Sequence, residues 1–463
     1  MKNIYLILSI LLLINIAEAQ TPPGIEWQIA IGGTSVEYAK KVLHTSDGGY
    51  IVAGESGSNT YADKTEPNIG GLDFWLVRLN SAGETLWDRT IGGTSGDYVR
   101  GLVATADGGY VIGGYSESDI SGHKTEASRG GYDFWVVKVD ADGYVLWDKT
   151  IGGNLDDYMY AMDITPDGGF ILAGSSKSDI SGEKTEPNMG VTDVWVVRLD
   201  SVGNILWDKT IGGDDLDTFY DINAISDTHF IGGGKSASNS STTKSEDNIL
   251  RLDGLRSDDF WVVDFNDPFS VNWDKTIGGT FHDKIGSIVP DFVNNALILG
   301  GDSSSEPGAY KTTPHYGYFD DYWVVKWNFA DSVIEWQVGF GGDDDDELEK
   351  VIRTFENNFL LCGYSNSTIA GNKTVATYGY QDYWLIKTDS IGNEIWQYAL
   401  GSGFNDLLYD CIQTSDGGYI IAGAGSAGIS GVKTAAGPGS LDYWIIKLYP
   451  DEACPLQTWY ADA

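Results

Sequence analysis

Seven acidic residues hold one repeated place in this chain: Glu37, Asp97, Asp157, Asp217, Asp283, Asp346 and Asp406. Each follows the second residue of a Gly-Gly pair, or of Gly401-Ser402 in the last case, by four positions. Gathered at the mouth of a channel, these carboxylates would raise one another's pKa or recruit a cation. The cation expected there is Ca2+, which favours several oxygen ligands. The alternative chemistry is loop capping, in which each acid accepts N–H bonds from its own turn.

Other reactive types are less organised. Lys-Thr recurs at Lys64, Lys124, Lys184, Lys311, Lys373 and Lys433, with Lys244-Ser245 in the remaining unit. A lysine repeated among so many acids reads as a local ion pair. The longest departure from the repeat, Lys235 to Asp258, is the loop expected to carry something specific. The five histidines share no repeat position and no metal-ligand spacing. No residue is singled out as catalytic. Acids abound, so a glycan-processing enzyme with carboxylates at the channel mouth stays open as the alternative function.

The elements that must position these residues are legible from tryptophan. Trp27, Trp87, Trp147 and Trp207 stand 60 residues apart, and the series continues at Trp273, Trp336 and Trp396. Trp75, Trp135, Trp195, Trp261, Trp323, Trp384 and Trp444 form a second series. A period of this length built from short strands means a propeller or a solenoid. In the second unit, strands are expected over 98–105, 109–115, 133–139 and 144–151. Asp107-Gly108 between the first two reads as a type I′ hairpin turn, with Asn294-Asn295 and Asn357-Asn358 as substitutes elsewhere. Four strands in each of seven units predict an all-β, seven-bladed β-propeller. Residues 25–31 read as a fourth strand with no blade before it, while the last unit stops at its third strand. The N-terminal strand is therefore expected to close the ring and leave no bare edge.

These residues resemble the kelch-type propeller. Val111-Ile-Gly-Gly114, Phe134-Trp135 and Trp147 carry the likeness, which spans residues 24–449. Units such as Trp147-Asp-Lys-Thr-Ile-Gly-Gly153 are also similar to secreted repeat proteins of the Bacteroidetes, of the type IX secretion kind. Asp200-Ser-Val, Asp331-Ser-Val and Asp389-Ser-Ile resemble the acceptor of Bacteroidetes O-glycosylation, which implies Ser201, Ser332 and Ser390 as sugar sites. The tail from Asp451 resembles the lead-in to an Asp-rich calcium-binding segment, so residues 450–463 read as the start of a truncated one.

Residues 1–19 read as a signal peptide: Lys2, a short apolar run to Ile16, then Ala17-Glu18-Ala19 before the expected mature start at Gln20. The chain carries 29 basic and 67 acidic residues, a net charge of -38. A phosphate backbone would be repelled by that surface, so nucleic acid is excluded as a partner. No segment is apolar and long enough to span a bilayer. Cys362 and Cys411 fall in strands of successive units, where they read as small buried residues or as a bridged pair. The whole reads as a monomeric propeller, residues 20–449, secreted or held at the outer cell surface. It is expected to act as a binding or scaffold module for a protein or glycan.

Overall fold

The computed structural model describes residues 20–251 and 254–451. The expected signal peptide (1–19) and the tail beyond Asp451, with Cys454, lie outside the described residues. Among the described residues twenty-eight strands, β1 to β28 in chain order, form seven four-stranded antiparallel sheets arranged as the blades of a propeller. Six blades take their strands consecutively and the last combines three consecutive strands with β1; the innermost strand of every blade begins at one of the seven repeated acids. These inner strands are β2 (Glu37–His44), β6 (Asp97–Ala104), β10 (Asp157–Ile164), β14 (Asp217–Ser226), β18 (Asp283–Asp291), β22 (Asp346–Arg353) and β26 (Asp406–Gln413). Among the described residues no helix is long and apolar enough to cross a membrane.

The second blade matches the sequence expectation within a residue or so: Asp97–Ala104, Tyr110–Ser116, Asp133–Val139 and Val145–Ile151. Its hairpin turn differs from expectation. The Gly108 amide donates to Thr105 O at 3.0 Å, and only Gly108, with φ of 86°, takes a positive φ. The loop therefore needs one left-handed residue where a type I′ turn needs two. Asn357 alone fills that place in the sixth blade, with φ of 64°.

Third strands such as Asp133–Val139 are buried at every position, because each blade is sandwiched between two others. The core is accordingly seven clusters, one per blade–blade interface. In six of the seven blades an aromatic residue precedes the inner tryptophan and packs on the tryptophan of the next blade; in the third blade Val194 takes its place. Phe74 lies 4.8 Å from Trp135, Phe134 5.0 Å from Trp195 and Tyr383 4.9 Å from Trp444, measured between ring centroids.

The ring closes as expected. β1 (Ile25–Ile31) pairs antiparallel with β28 (Leu441–Leu448), giving the last blade the order β1-β28-β27-β26, with β27 spanning Tyr419–Ser426. Gln28 fastens the join: its side-chain oxygen accepts from the Trp444 indole at 3.1 Å and from the Thr434 amide at 3.1 Å. Tyr443 then donates to Trp75 O at 2.8 Å across the seam. Asp451 extends the packed body past residue 449, accepting from Tyr419 Oη at 2.7 Å and Trp396 Nε1 at 3.0 Å. Cys362 and Cys411 form a disulfide between blades six and seven, with Cα atoms 6.8 Å apart.

Candidate binding site in the central channel

All seven repeated acids are buried, each turned into the loop that precedes its own strand. Their carboxylates accept from the amides of Gly33, Gly93, Gly153, Gly213, Gly279, Gly342 and Ser402 at 2.6 to 3.1 Å. Serine hydroxyls from the same blade add further bonds, such as Ser178 to Asp157 at 3.0 Å and Ser305 to Asp283 at 2.9 Å. This is the capping geometry. The structure places the seven in the blade–blade junctions, while other residues line the channel. Among the described residues no group of three or more His, Cys, Asp or Glu is arranged to hold a metal ion.

Each capping acid faces a second buried carboxyl across the junction. The partners are the first residues of the third-strand runs: Asp73 faces Asp97, Asp133 faces Asp157, Asp193 faces Asp217, and so on round to Asp442 and Glu37. Burial first, and then the facing acid, raises these third-strand carboxyls to about 6 at Asp73, Asp133, Asp193, Asp382 and Asp442. Asp321 rises to about 8 and Asp259 to about 9 for the same reasons.

The repeated lysines complete this belt. Lys64, Lys124, Lys184, Lys244, Lys311, Lys373 and Lys433 are buried between the two acids of their own blade. Their ammonium groups sit 5.3 to 5.8 Å from the rings of the inner tryptophans. Their hydrogen bonds go to neutral oxygens, as Lys244 donates to Thr276 Oγ1 at 2.7 Å and Lys311 to Ser303 Oγ at 2.8 Å. The expected local ion pair is thus a through-space one. The threonine after the lysine is tied to the outer strand: Thr65 N donates to Asp88 at 3.0 Å, and so does the Trp75 indole. Lys-Thr, the inner tryptophan and the Trp-Asp of the outer strand are one loop anchor.

The channel is built by seven β-bulges. In every inner strand the pairing register slips by one residue at the same place, leaving one residue unpaired. That residue is Lys40, Arg100, Tyr160, Tyr220, Gly286, Glu349 or Tyr409, and all seven line a cavity of about 270 Å³ on the axis. A bulge re-aims a side chain and sharpens the local twist. Here it aims one residue per blade at the axis, where the repeat stops being a repeat. Below them a second cavity of about 580 Å³ is lined by Asp163, Asp221, Lys350 and Asp410 among others.

Charge and aromaticity are distributed unevenly around this axis. Arg100 pairs with Glu55 at 3.0 Å, and Lys284 with Asp302 at 2.7 Å. Burial raises Asp302 to about 7 against the pull of Lys284. Over blades two to four six tyrosines touch in an unbroken run. Tyr98 stacks on Tyr115 at 5.0 Å, Tyr115 meets Tyr158 edge-on at 5.1 Å, and Tyr132 lies 5.2 Å from Tyr158. Tyr158 stacks on Tyr160 at 6.2 Å, and Tyr160 meets Tyr220 at 5.1 Å inside the channel. Sequence reasoning passed over these residues because it looked for what repeats. For Tyr160 and Tyr220 the signal was the opposite one: the third position after the repeated acid is not kept, being basic in two units, tyrosine in three, and glycine or glutamate in the others.

The remaining expected sites are separate from the channel. Ser201, Ser332 and Ser390 are exposed in the turns between third and fourth strands. In the blade-four loop Arg256 pairs with Asp214 at 2.7 Å, fastening the insert to the preceding turn. His282 lies 3.3 Å from Asp258, and His315 Nε2 lies 2.6 Å from Phe319 O.

No family model matches the chain. Regulatory protein FlaEY of Caulobacter vibrioides is 22% identical over 385 residues, covering 78% of this chain. The chain spans 40% of that relative's length. Among solved structures, the Pan2 WD40 domain of Neurospora crassa is 10% identical with a TM-score of 0.47, covering 88% of each chain. Sqt1 of Chaetomium thermophilum is 11% identical with a TM-score of 0.46, covering 91% of this chain and 97% of that one. The propeller assignment rests on the strand order and register themselves.

Proposed function

We propose that this chain is an exported, kelch-like propeller of the Bacteroidetes type IX kind, acting as a binding or scaffold module at the cell surface. Its ligand, a protein segment or a glycan, seats on the tyrosines at the channel mouth over blades two to four. The observation that carries this reading is the unbroken tyrosine run where the sevenfold repeat is lost. Tyrosine offers a rigid apolar face with a polar tip, the combination enriched where ligands are held. The disulfide between blades six and seven supports the export expected from residues 1–19, since disulfides persist in oxidising compartments. The FlaEY relative's description as a regulatory protein fits a binding role.

Glycan-array and pull-down screening of residues 20–449 tests the reading, with Tyr132→Ala and Tyr158→Ala as variants. Ligand captured by the wild type and lost by both folded variants is the expected result. Undiminished capture by the variants would move the site elsewhere, and hydrolysis of array glycans would favour an enzyme. The exposed Ser201, Ser332 and Ser390 are proposed O-glycosylation sites. Intact-mass measurement of the natively exported chain should show added sugar, and an unmodified mass would remove that proposal.

A further inference from the structure

Lys40 is the bulged residue of the first blade, and its side chain lies against aromatic rings in the channel. Its ammonium lies 3.2 Å from the centroid of the Tyr409 ring and 5.2 Å from that of Tyr38. Among the described residues it makes no hydrogen bond or ion pair. By contrast, Lys284 in the same cavity is held by Asp302 at 2.7 Å, and the belt lysines are sealed inside the blades. Lys40 opens onto a cavity of about 270 Å³ that also presents Lys41, Arg100 and Lys284, with Glu349 as the carboxylate among its lining.

We propose that Lys40 is a covalent capture site for small aldehydes that carry a carboxylate. The anionic end is drawn by Lys41, which makes no ion pair among the described residues, with the paired Arg100 and Lys284 beside it, and this leaves the carbonyl carbon beside Nζ. The amine lone pair adds to that carbon, and the C=O pair moves to oxygen, which takes a proton from nitrogen. The carbinolamine then loses water to give the imine, so one aldehyde and one amine yield one imine and one water. The step needs neutral amine. Burial lowers Lys40 to about 8, with Arg100 and Lys41 pushing the same way and Glu55 and Glu349 opposing. The proposal stands apart from the macromolecular ligand at the mouth, because it concerns a small molecule inside the channel.

The test is reductive trapping on the folded, exported chain near pH 7.5, with glyoxylate as probe and cyanoborohydride to reduce the imine. Peptide mass mapping gives initial rates at Lys40 and at Lys177, a half-exposed lysine paired with Asp156 at 2.9 Å. Lys40 should react about tenfold faster or more, since each unit by which burial lowers an amine's pKa exposes about ten times more neutral amine. The Lys40 to Lys177 rate ratio should also be larger with glyoxylate than with uncharged glycolaldehyde. A ratio of one or below would overturn the site. An equal ratio with both aldehydes would overturn the carboxylate preference.

Discussion

Asp259 of blade four and Asp283 of blade five stand on either side of the Gly278-Gly279 turn and share its space. The Gly279 amide donates to Asp283 Oδ2 at 2.7 Å, while a Cβ on Gly278 would run into Asp259 Oδ1. A Cβ on Gly279 would run into Ser305. The Gly-Gly pair of the repeat is therefore a consequence of the carboxyl pair and its serine. Fourteen carboxyls and seven lysines make the belt, so it reaches neutrality when each junction holds one proton. Shared protons suit buried acids that face each other.

The first prediction concerns pH. The folded-state values of Asp259 and Asp321 are raised, to about 9 and about 8. Between the unfolded carboxyl range and those values the folded state binds more protons, so their contribution to stability falls as pH rises. Asp259→Asn with Asp321→Asn removes that dependence. Thermal melts at pH 5.5 and pH 8.5 should show the wild type losing more stability than the double variant over the interval. Parallel losses would mean that these carboxyls are ionised throughout.

A second prediction tests the bulges. A Cβ on Gly114 would collide with the Tyr98 carbonyl, and the same holds at Gly54, Gly174, Gly234, Gly301, Gly363 and Gly423 against the strand they face. Backbone cannot give way there, so Gly114→Ala should cost about 1–3 kcal/mol, the range for overpacking. Gly113→Ala meets mainly the flexible ends of Met159 and Met162 and should cost less. Denaturant melts of the two variants compare them directly, and equal losses would refute the bulge as the cause.

That contrast shows what the sequence made legible. The strands, the seven blades and the closing strand follow from tryptophan spacing, because each inner tryptophan fills the same interface pocket in every blade. The second glycine of Gly113-Gly114 is kept in all seven units, since the bulge forbids a Cβ there, whereas Ala53, Ala173, Cys362 and Ala422 replace the first. The acids were visible as a ring but their direction was not. Spacing alone does not say whether a carboxylate turns to the axis or into its own turn, and only the backbone of the loop decides. The channel residues Lys40, Arg100, Gly286 and Glu349 were hidden because each type holds that position once, and tyrosine holds it in only three units.

Closure yields a third prediction. Deleting residues 20–33 would remove β1 and Gln28, leaving β28 paired with β27 alone and the Trp444 indole without its acceptor. An exposed edge of that length is a template for pairing with other chains. Size-exclusion chromatography should show oligomers or aggregate and a lowered melting temperature. A monomer of unchanged stability would mean that the ring holds without its closing strand.

The last prediction concerns calcium. The repeated acids already accept from loop amides, and five of them from serine hydroxyls as well, with a lysine beside each. A cation would have to displace those donors and sit against the ammonium groups of the belt. Melting temperatures with calcium and with chelator should therefore agree, for the wild type and for Asp97→Asn with Asp283→Asn. The double variant should melt lower than the wild type in both media, because two caps lose charged acceptors. Ion binding to the folded state would instead raise stability by about 2.7 kcal/mol at a hundredfold excess over Kd. A calcium-dependent rise in the wild type that the double variant lacks would return these carboxylates to the role of a metal site.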